Sequence, residues 1–235
     1  MEKVDNYPVK IAIFGAARAP KAWTWFAWPT RERMLVEDLG ETLGIAFGDR
    51  IEILTGACVG VPDLVSNEAR RFGARVIGYS GEQTLERHIQ NPNYAAPKRF
   101  DELKFIDSNR VVLNGLTERS LEMIKDADAL VYLGGRTGTL LEYCAAYDGC
   151  DKPIYRLHGA GGSTDIMPSF DYKKRKGKVF ATTMPLELAS ELDQDFNISN
   201  FRNNPQIEVV DVRSPLSWIK FADGAMKGKE IITVR

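Results

Sequence analysis

A glycine-rich turn with an acid close behind it is the part of the chain best suited to chemistry. Residues 134–142 read GGRTGTLLE and follow an apolar run at 129–133, which predicts a buried strand. A helix is then predicted from Leu140, capped by Thr137 or Thr139, with Glu142 in its first turn. Because a helix start presents unpaired N–H groups and a partial positive charge, this turn is suited to bind a phosphoryl group. The expected phosphate contacts are Gly134, Gly135, Arg136, Thr137, Gly138 and Thr139.

Two further predicted strands end in small residues in the same way. The apolar run that begins at Ile51 leads through Gly56 and Gly60 into a helix that has Pro62 at its first position. Near the start of the chain, the run 11–14 ends at Gly15 and Ala16. Since parallel strands present their carboxyl ends at one edge of a sheet, we expect these loops to share one crevice with the turn at 134–139.

Predicted strands and helices alternate along most of the chain. Helical spacing covers Thr30 to about Phe47 and 118–127, while strand patterns occur at 51–55, 74–79 and 152–157. This order predicts an α/β fold: a Rossmann-like, doubly wound parallel sheet with helices on both faces. We assign residues 1–158 to a Rossmann-like nucleotide-binding domain and 159–235 to a C-terminal extension packed on or beside it.

The predicted extension begins with a glycine-rich segment. Residues 159–163 read GAGGS, and we expect them to be flexible. A short helix is predicted at about 184–193, and alternating apolar residues predict strands at 207–212 and 230–234.

Composition excludes several classes of partner. The formal net charge of −1 gives no overall electrostatic reason for binding nucleic acid or an anionic membrane. The 3 cysteines lack CxxC spacing and neither of the 2 histidines has metal-ligand neighbours, so we expect no metal and no bound cofactor. No secretory signal or membrane span is recognisable, which predicts a cytoplasmic protein.

Two other segments leave alternatives open. The aromatic cluster WTWFAW at 23–28 can stack on a base or cover the crevice, and it can equally pack in the core or at a dimer interface. The basic run at 173–176 can contact nucleic acid or polyphosphate, although such a run is usually a solvated loop.

Several motifs in one order resemble the LONELY GUY proteins, a family long labelled lysine-decarboxylase-like. The resemblance covers roughly residues 8–158 and rests on the TGACVG loop, the VIGY strand, RSLEM at 119–123, DADA at 126–129 and GGRTGTLLE at 134–142. It implies membership of a wider Rossmann superfamily that includes the molybdenum-cofactor carrier proteins. It also implies a homodimer that hydrolyses the N-glycosidic bond of a nucleoside 5′-monophosphate. Arg119, four residues before Met123, and Glu142 match the family's catalytic pair.

Both residue types suit that reaction. Breaking a glycosidic bond builds positive charge on the ribose, so a nearby carboxylate can stabilise the cation or activate a water molecule. An arginine can hold the phosphate or compensate the leaving base electrostatically. The sequence alone does not choose between these roles.

The chain departs from the usual family pattern at two places. Ser120 stands where a basic residue usually follows the arginine, and the phosphate turn has Leu133 in place of proline and one additional residue within Arg136–Thr137. The longer turn can move the phosphate or offer Arg136 as a further ligand. Two classes of function therefore remain, a phosphoribohydrolase and a protein that binds a nucleotide or cofactor without turnover.

Overall fold

The chain folds around one large parallel sheet. The structure, a computed structural model, describes residues 7–17, 30–106, 111–113, 116–167, 176–198, 207–211 and 230–234. The strands are β1 (Val9–Gly15), β2 (Ile51–Thr55), β3 (Arg75–Ser80), β4 (Glu102–Phe105), β5 (Val111–Leu113), β6 (Leu116–Thr117), β7 (Ala129–Leu133), β8 (Ile154–Leu157), β9 (Val179–Thr182), β10 (Ile207–Asp211) and β11 (Glu230–Val234). The α-helices are α1 (Thr30–Phe47), α2 (Val61–Arg71), α3 (Leu85–Gln90), α4 (Glu118–Asp126), α5 (Thr137–Gly149) and α6 (Pro185–Phe196). Short 3₁₀ helices occupy Gly48–Arg50, Pro97–Arg99 and Gly162–Asp165.

The order of strands in the main sheet is β4-β3-β2-β1-β7-β8-β9, and each neighbouring pair is parallel. The chain builds outward from β1 through β2 and β3 to β4, and then returns to place β7 on the other side of β1. The winding direction therefore reverses between β1 and β7. In such sheets, ligands bind at this point, beyond the carboxyl ends of the strands.

Helices cover both faces of the sheet, because alternate residues of the central strands point to opposite sides. Ile11, Ile13 and Val131 pack with residues of α1, α2 and α6 in one buried cluster. Ala12 and Tyr132 pack with residues of α4 and α5 in the other. The predicted Rossmann-like fold with helices on both faces is confirmed.

The sheet continues beyond residue 158, where the predicted nucleotide-binding domain ends. β9 pairs with β8, with Tyr155 opposite Phe180, and α6 adds the fully buried Leu188 and Leu192 to the core on the α1 side. Lys178 reinforces this corner, since its Nζ donates to Asp195 at 2.9 Å and also to Glu191. The first part of the C-terminal extension therefore completes the main sheet and one of its cores.

Two smaller pairs of strands lie outside the main sheet. β10 and β11 pair in parallel at the positions where strands are predicted, and β5 pairs with β6 in antiparallel fashion. None of the helices in the described ranges is both long and apolar enough to cross a membrane.

Candidate functional site

A crevice opens at the carboxyl ends of β1 and β2, next to the point where the winding reverses. Its walls come from the loops after β1 and β2 and from the helices α2, α4 and α5. The lining residues are Ile13, Phe14, Gly15, Ala17, Gly56, Cys58, Pro62, Arg119, Met123 and Glu142. The structure thus brings together Gly15, Gly56 and the two predicted catalytic residues from distant parts of the sequence.

Arg119 reaches the crevice from the first turn of α4. Thr117 caps this helix, because its side-chain oxygen accepts a hydrogen bond from the Ser120 N–H. The Arg119 Nη1 atom donates to the Gly56 carbonyl oxygen at 3.1 Å and to the Cys58 Sγ atom at 3.3 Å. Its Nε atom is buried and has no hydrogen-bond partner among the described residues. The guanidinium is therefore held by two groups and retains an unused donor.

Electrostatics keep Arg119 charged. Burial by itself lowers the pKa of a guanidinium, but Cys58, Glu142 and Tyr94 together outweigh that cost and hold the pKa of Arg119 above its ordinary value. Arg119 and Glu142 line the same crevice without a direct ion pair in the described part of the chain.

Glu142 enters the crevice from α5. Its Oε1 atom accepts a hydrogen bond of 2.6 Å from the Ser120 hydroxyl on α4. Burial raises the pKa of Glu142, and the Ser120 hydrogen bond and the charge on Arg119 offset only part of that rise. A carboxyl group whose pKa is raised by burial, beside a cation in a crevice, is suited to proton exchange with a ligand.

The start of α5 differs from the sequence prediction. The helix begins at Thr137 rather than Leu140, and Arg136 occupies the N-cap position without a side-chain capping bond. The predicted caps Thr137 and Thr139 are therefore wrong, because the chain enters the helix directly from the glycine turn. Glu142 consequently lies in the second turn of α5.

The N–H groups at this helix start are available to a ligand. The Leu140 N–H makes the first intrahelical bond, to the Arg136 carbonyl at 3.1 Å, so the N–H groups of residues 137–139 precede the helical ladder. Arg136, Thr137 and Gly138 are exposed, whereas Thr139 is buried against Gly135. Of the expected phosphate contacts, Arg136, Thr137 and Gly138 therefore form an exposed helix N-terminus, while the other three are buried, and none of the six is among the residues that line the crevice.

Gly134 and Gly135 shape the turn, and a second segment holds it in place. The Ser163 N–H donates to the Gly135 carbonyl at 3.1 Å, and the Thr164 N–H donates to the Gly134 carbonyl at 3.3 Å. A Cβ on Gly162 would lie 2.1 Å from the Gly135 carbonyl oxygen, and Gly162 has a φ of +74°. The glycine-rich segment that we expected to be flexible is thus a fixed brace under the phosphate turn.

The remaining predicted contacts flank the crevice. Gly60 caps α2, and the Val61 N–H that follows it donates to the Ala16 carbonyl at 2.9 Å. This bond joins the loops after β1 and β2, so Ala16 and Gly60 set the geometry of the wall formed by Gly15, Ala17 and Pro62.

Sequence reasoning missed the support of the second loop. The Ala95 N–H donates to the Ala57 carbonyl at 2.8 Å, and the Val59 N–H donates to the Asn93 carbonyl at 3.0 Å. The buried His88 side chain braces the supporting segment, since its Nδ1 lies 2.9 Å from the Ser80 Oγ and its Nε2 lies 2.9 Å from the Ala95 carbonyl oxygen. The sequence signal at His88 was only the lack of metal-ligand neighbours, which did not indicate this bracing role.

Two of the segments considered in the sequence analysis have no described structure. The aromatic cluster at 23–28 and residues 173–175 of the basic run lie outside the described residues.

Taken together, the reversed winding and the crevice beside the reversal point define a Rossmann-like α/β protein. The chain belongs to the SLOG cluster4 family, whose model matches residues 8–189. A search of curated proteins finds no match.

Solved structures share the fold. The structural-genomics target TM1055 is 23% identical, with a TM-score of 0.59 over 80% of this chain and 99% of its own. The molybdenum cofactor binding protein from the phototrophic bacterium Rippkaea orientalis is 17% identical, with a TM-score of 0.55 over 81% of this chain and 98% of its own. The molybdenum cofactor carrier protein from Chlamydomonas reinhardtii is 19% identical, with a TM-score of 0.55 over 80% of this chain and 97% of its own. At these identities, the likeness establishes the fold.

Proposed function

We propose that the protein is a nucleoside 5′-monophosphate phosphoribohydrolase, which releases the free base and ribose 5-phosphate. One observation carries the proposal, which is that Glu142 and the cationic Arg119 line the same crevice. Burial raises the pKa of Glu142, and this residue lies on α5, the helix whose N-terminus is exposed to an anion. Family membership and the resemblance of the motifs to the LONELY GUY proteins support the same activity.

The phosphate of the substrate would bind at the start of α5. The N–H groups of residues 137–139 and the positive end of the helix dipole provide the attraction, and the exposed Arg136 adds a cation. Gly138 and Glu142 are separated by a rise of about 6 Å along the helix, which is close to the separation between a 5′-phosphate and the sugar carbon C1′. A nucleotide bound by its phosphate therefore brings its glycosidic bond towards Glu142.

The reaction then follows from the charges on the two side chains. As the bond between C1′ and the base nitrogen breaks, its electron pair leaves with the base and positive charge develops on the ribose. Ionised Glu142 stabilises that charge and accepts a proton from the attacking water, whose oxygen becomes the hydroxyl group on C1′. Arg119, which lines the crevice and keeps its charge, compensates the negative charge on the leaving base. The proton that Glu142 accepted from the water finally passes to the base nitrogen, which restores the carboxylate and completes the hydrolysis.

A protein that carries or senses a nucleotide or cofactor is the second candidate. The exposed Arg136–Thr137 extension of the phosphate turn favours it, because an added ligand for the phosphate increases binding without contributing to bond cleavage. The solved neighbours named as molybdenum cofactor proteins are compatible with this candidate. For either candidate we also propose a homodimer, which rests on the family resemblance, and a cytoplasmic location, which rests on the sequence pattern.

A substrate panel tests the proposal. We would incubate the purified protein with the common nucleoside 5′-monophosphates and the matching nucleosides, and measure free base and ribose 5-phosphate by chromatography. Release from one or more monophosphates, with much slower release from the nucleosides, is the expected result. Tight binding of a monophosphate without any release of base would favour the carrier. Equally fast cleavage of nucleosides and monophosphates would contradict the assigned role of the α5 N-terminus.

A further inference from the structure

Ser120 connects the two helices that carry Arg119 and Glu142. It follows Arg119 on α4, its side chain is only 2% exposed, and its hydroxyl donates to the Glu142 Oε1 atom at 2.6 Å. Because α4 and α5 pack on the same face of the sheet, this bond spans the boundary between them. Among the described residues, the Ser120 hydroxyl is the one group that makes a hydrogen bond to the Glu142 carboxylate.

A second hydroxyl lies behind the first. The Thr117 Oγ1 atom accepts from the Ser120 N–H and lies 3.2 Å from the Ser120 Oγ atom. Since the Ser120 hydroxyl gives its proton to Glu142, the Thr117 hydroxyl is the group that donates between the two. The bonds then run in one direction, from Thr117 through Ser120 to Glu142, and hydrogen bonds in such a chain strengthen each other.

We propose that Ser120 is a positioning residue, which holds Oε1 of Glu142 towards α4 and leaves Oε2 to face the ribose and the attacking water. This role deepens the proposed hydrolase and takes its catalytic meaning from it. A fixed carboxylate orientation matters because loss of alignment between reacting atoms lowers the rate of the chemical step.

The surroundings of Glu142 leave few other groups to perform this task. Arg119 on α4 is the charged group that acts on the carboxyl, and Cys58 after β2 is the other titratable side chain that lines the crevice beside it. The neighbouring wall from β1 consists of Ile13 and Phe14, which offer no hydrogen-bond donor in their side chains.

Removal of the Ser120 hydroxyl should raise the pKa of Glu142. Ser120 donates to the charged form of Glu142, so Ser120→Ala removes a contact that favours the carboxylate and raises the pKa of Glu142 further. Loss of one hydrogen bond to a charged group shifts the pKa of that group by about one unit. The acid limb of the kcat profile should therefore move upward by about one unit, and kcat should fall more than KM rises.

The test follows the carboxyl group directly. We would label the full-length protein with ¹³C at glutamate carboxyl carbons, assign Glu142 by the signal that Glu142→Gln removes, and titrate it by NMR. Ser120→Ala should shift the titration upward by about one unit, Ser120→Cys by less because a thiol is a weaker donor, and Ser120→Thr should restore the wild-type position. Ser66→Ala is the matched control, because Ser66 is an equally buried helical serine whose hydroxyl donates to the Asp63 backbone carbonyl.

The titration and the kinetics distinguish failure of this inference from failure of the proposed function. A Glu142 titration that is the same in wild type, Ser120→Ala and Ser120→Cys would overturn the role of Ser120, even if the protein hydrolyses nucleotides. A shifted titration in a protein without turnover would leave the Ser120 contact established and remove the hydrolase. A kcat that Ser120→Ala leaves unchanged would also overturn the positioning role.

Discussion

At the scale of single residues, Glu142 is an ionisable group in a place that disfavours its charge. Its pKa in the folded chain is raised by burial, so between the ordinary and the raised value the folded protein binds more protons than the unfolded chain. The contribution of Glu142 to stability is therefore greatest below its ordinary pKa and is lost as the pH rises through the raised value. Such a cost is common where a site is built for function.

We accordingly expect Glu142→Gln to be more stable than the wild type at neutral pH, since the neutral amide removes the buried charge. The difference should shrink as the pH falls below the ordinary pKa of a glutamate, because the wild-type carboxyl is then neutral as well. Thermal unfolding at several pH values measures both effects. A variant that is less stable than wild type at neutral pH would show that the carboxylate is well compensated there.

Arg119 provides a second prediction at this scale. Arg119→Lys keeps the charge but cannot reproduce a planar group that contacts both Gly56 and Cys58, so we expect kcat/KM for the best monophosphate to fall by about 100-fold or more. Arg71→Lys, at an exposed position on α2, is the control and should leave the rate unchanged. Steady-state kinetics with both variants checks this, and wild-type activity in the Arg119→Lys variant would reduce the role of Arg119 to simple charge.

The sequence predicts the pairing of Arg119 and Glu142 in one site because their motifs resemble those of the LONELY GUY proteins. It does not predict the contact between Arg119 and Cys58, whose Sγ atom accepts a hydrogen bond from the guanidinium. Residues 58 and 119 lie on different elements, so their contact depends on how the loop after β2 turns. Ser120 was a departure from a pattern in the sequence, and its bond to Glu142 is visible only in three dimensions.

At the scale of elements, the phosphate turn depends on its brace. We expect Gly162→Ala to lower the free energy of unfolding by about 1–3 kcal/mol, because the added Cβ meets the Gly135 carbonyl and the backbone has a positive φ. It should also weaken monophosphate binding, since it displaces the turn that precedes α5. Gly149→Ala, where a Cβ would meet nothing within 4 Å, is the matched control for denaturant unfolding.

An unchanged monophosphate affinity in a destabilised Gly162→Ala protein would show that the brace does not support the ligand site.

The brace is a feature that local sequence patterns do not predict. The run GAGGS reads as a flexible link, yet its glycines are required by the close approach of another backbone segment. The early start of α5 has a similar cause, because the path out of Gly135 leads straight into the helix and no side-chain cap is needed.

At the scale of the whole molecule, β9 and α6 are part of the main fold. We expect Leu192→Ala to cost about 2–5 kcal/mol, as is usual for truncation of a fully buried leucine, whereas Leu85→Ala at a 44% exposed position should cost little. Chemical denaturation of the two variants makes the comparison. Equal effects would mean that α6 contributes little to the core beside α1.

The alternation of strands and helices was enough to predict the doubly wound sheet, because buried parallel strands have continuous apolar sequences. The same signal weakens after residue 158. β9 is an edge strand of four residues and is only partly buried, so it lacks the apolar run that marks β1 or β7. Its place in the sheet depends on pairing with β8, which no local pattern specifies.

Glu142 is proposed to perform chemistry on a bound nucleotide, and one comparison of rate with affinity tests this directly. Release of free base from the preferred nucleoside 5′-monophosphate should be at least about 100-fold slower in Glu142→Gln than in wild type, while calorimetry gives similar nucleotide affinities for the two proteins. Glu122→Gln, on the exposed side of α4, should behave as the wild type. Equal rates of release from wild type and Glu142→Gln would show that Glu142 takes no part in cleavage of the glycosidic bond.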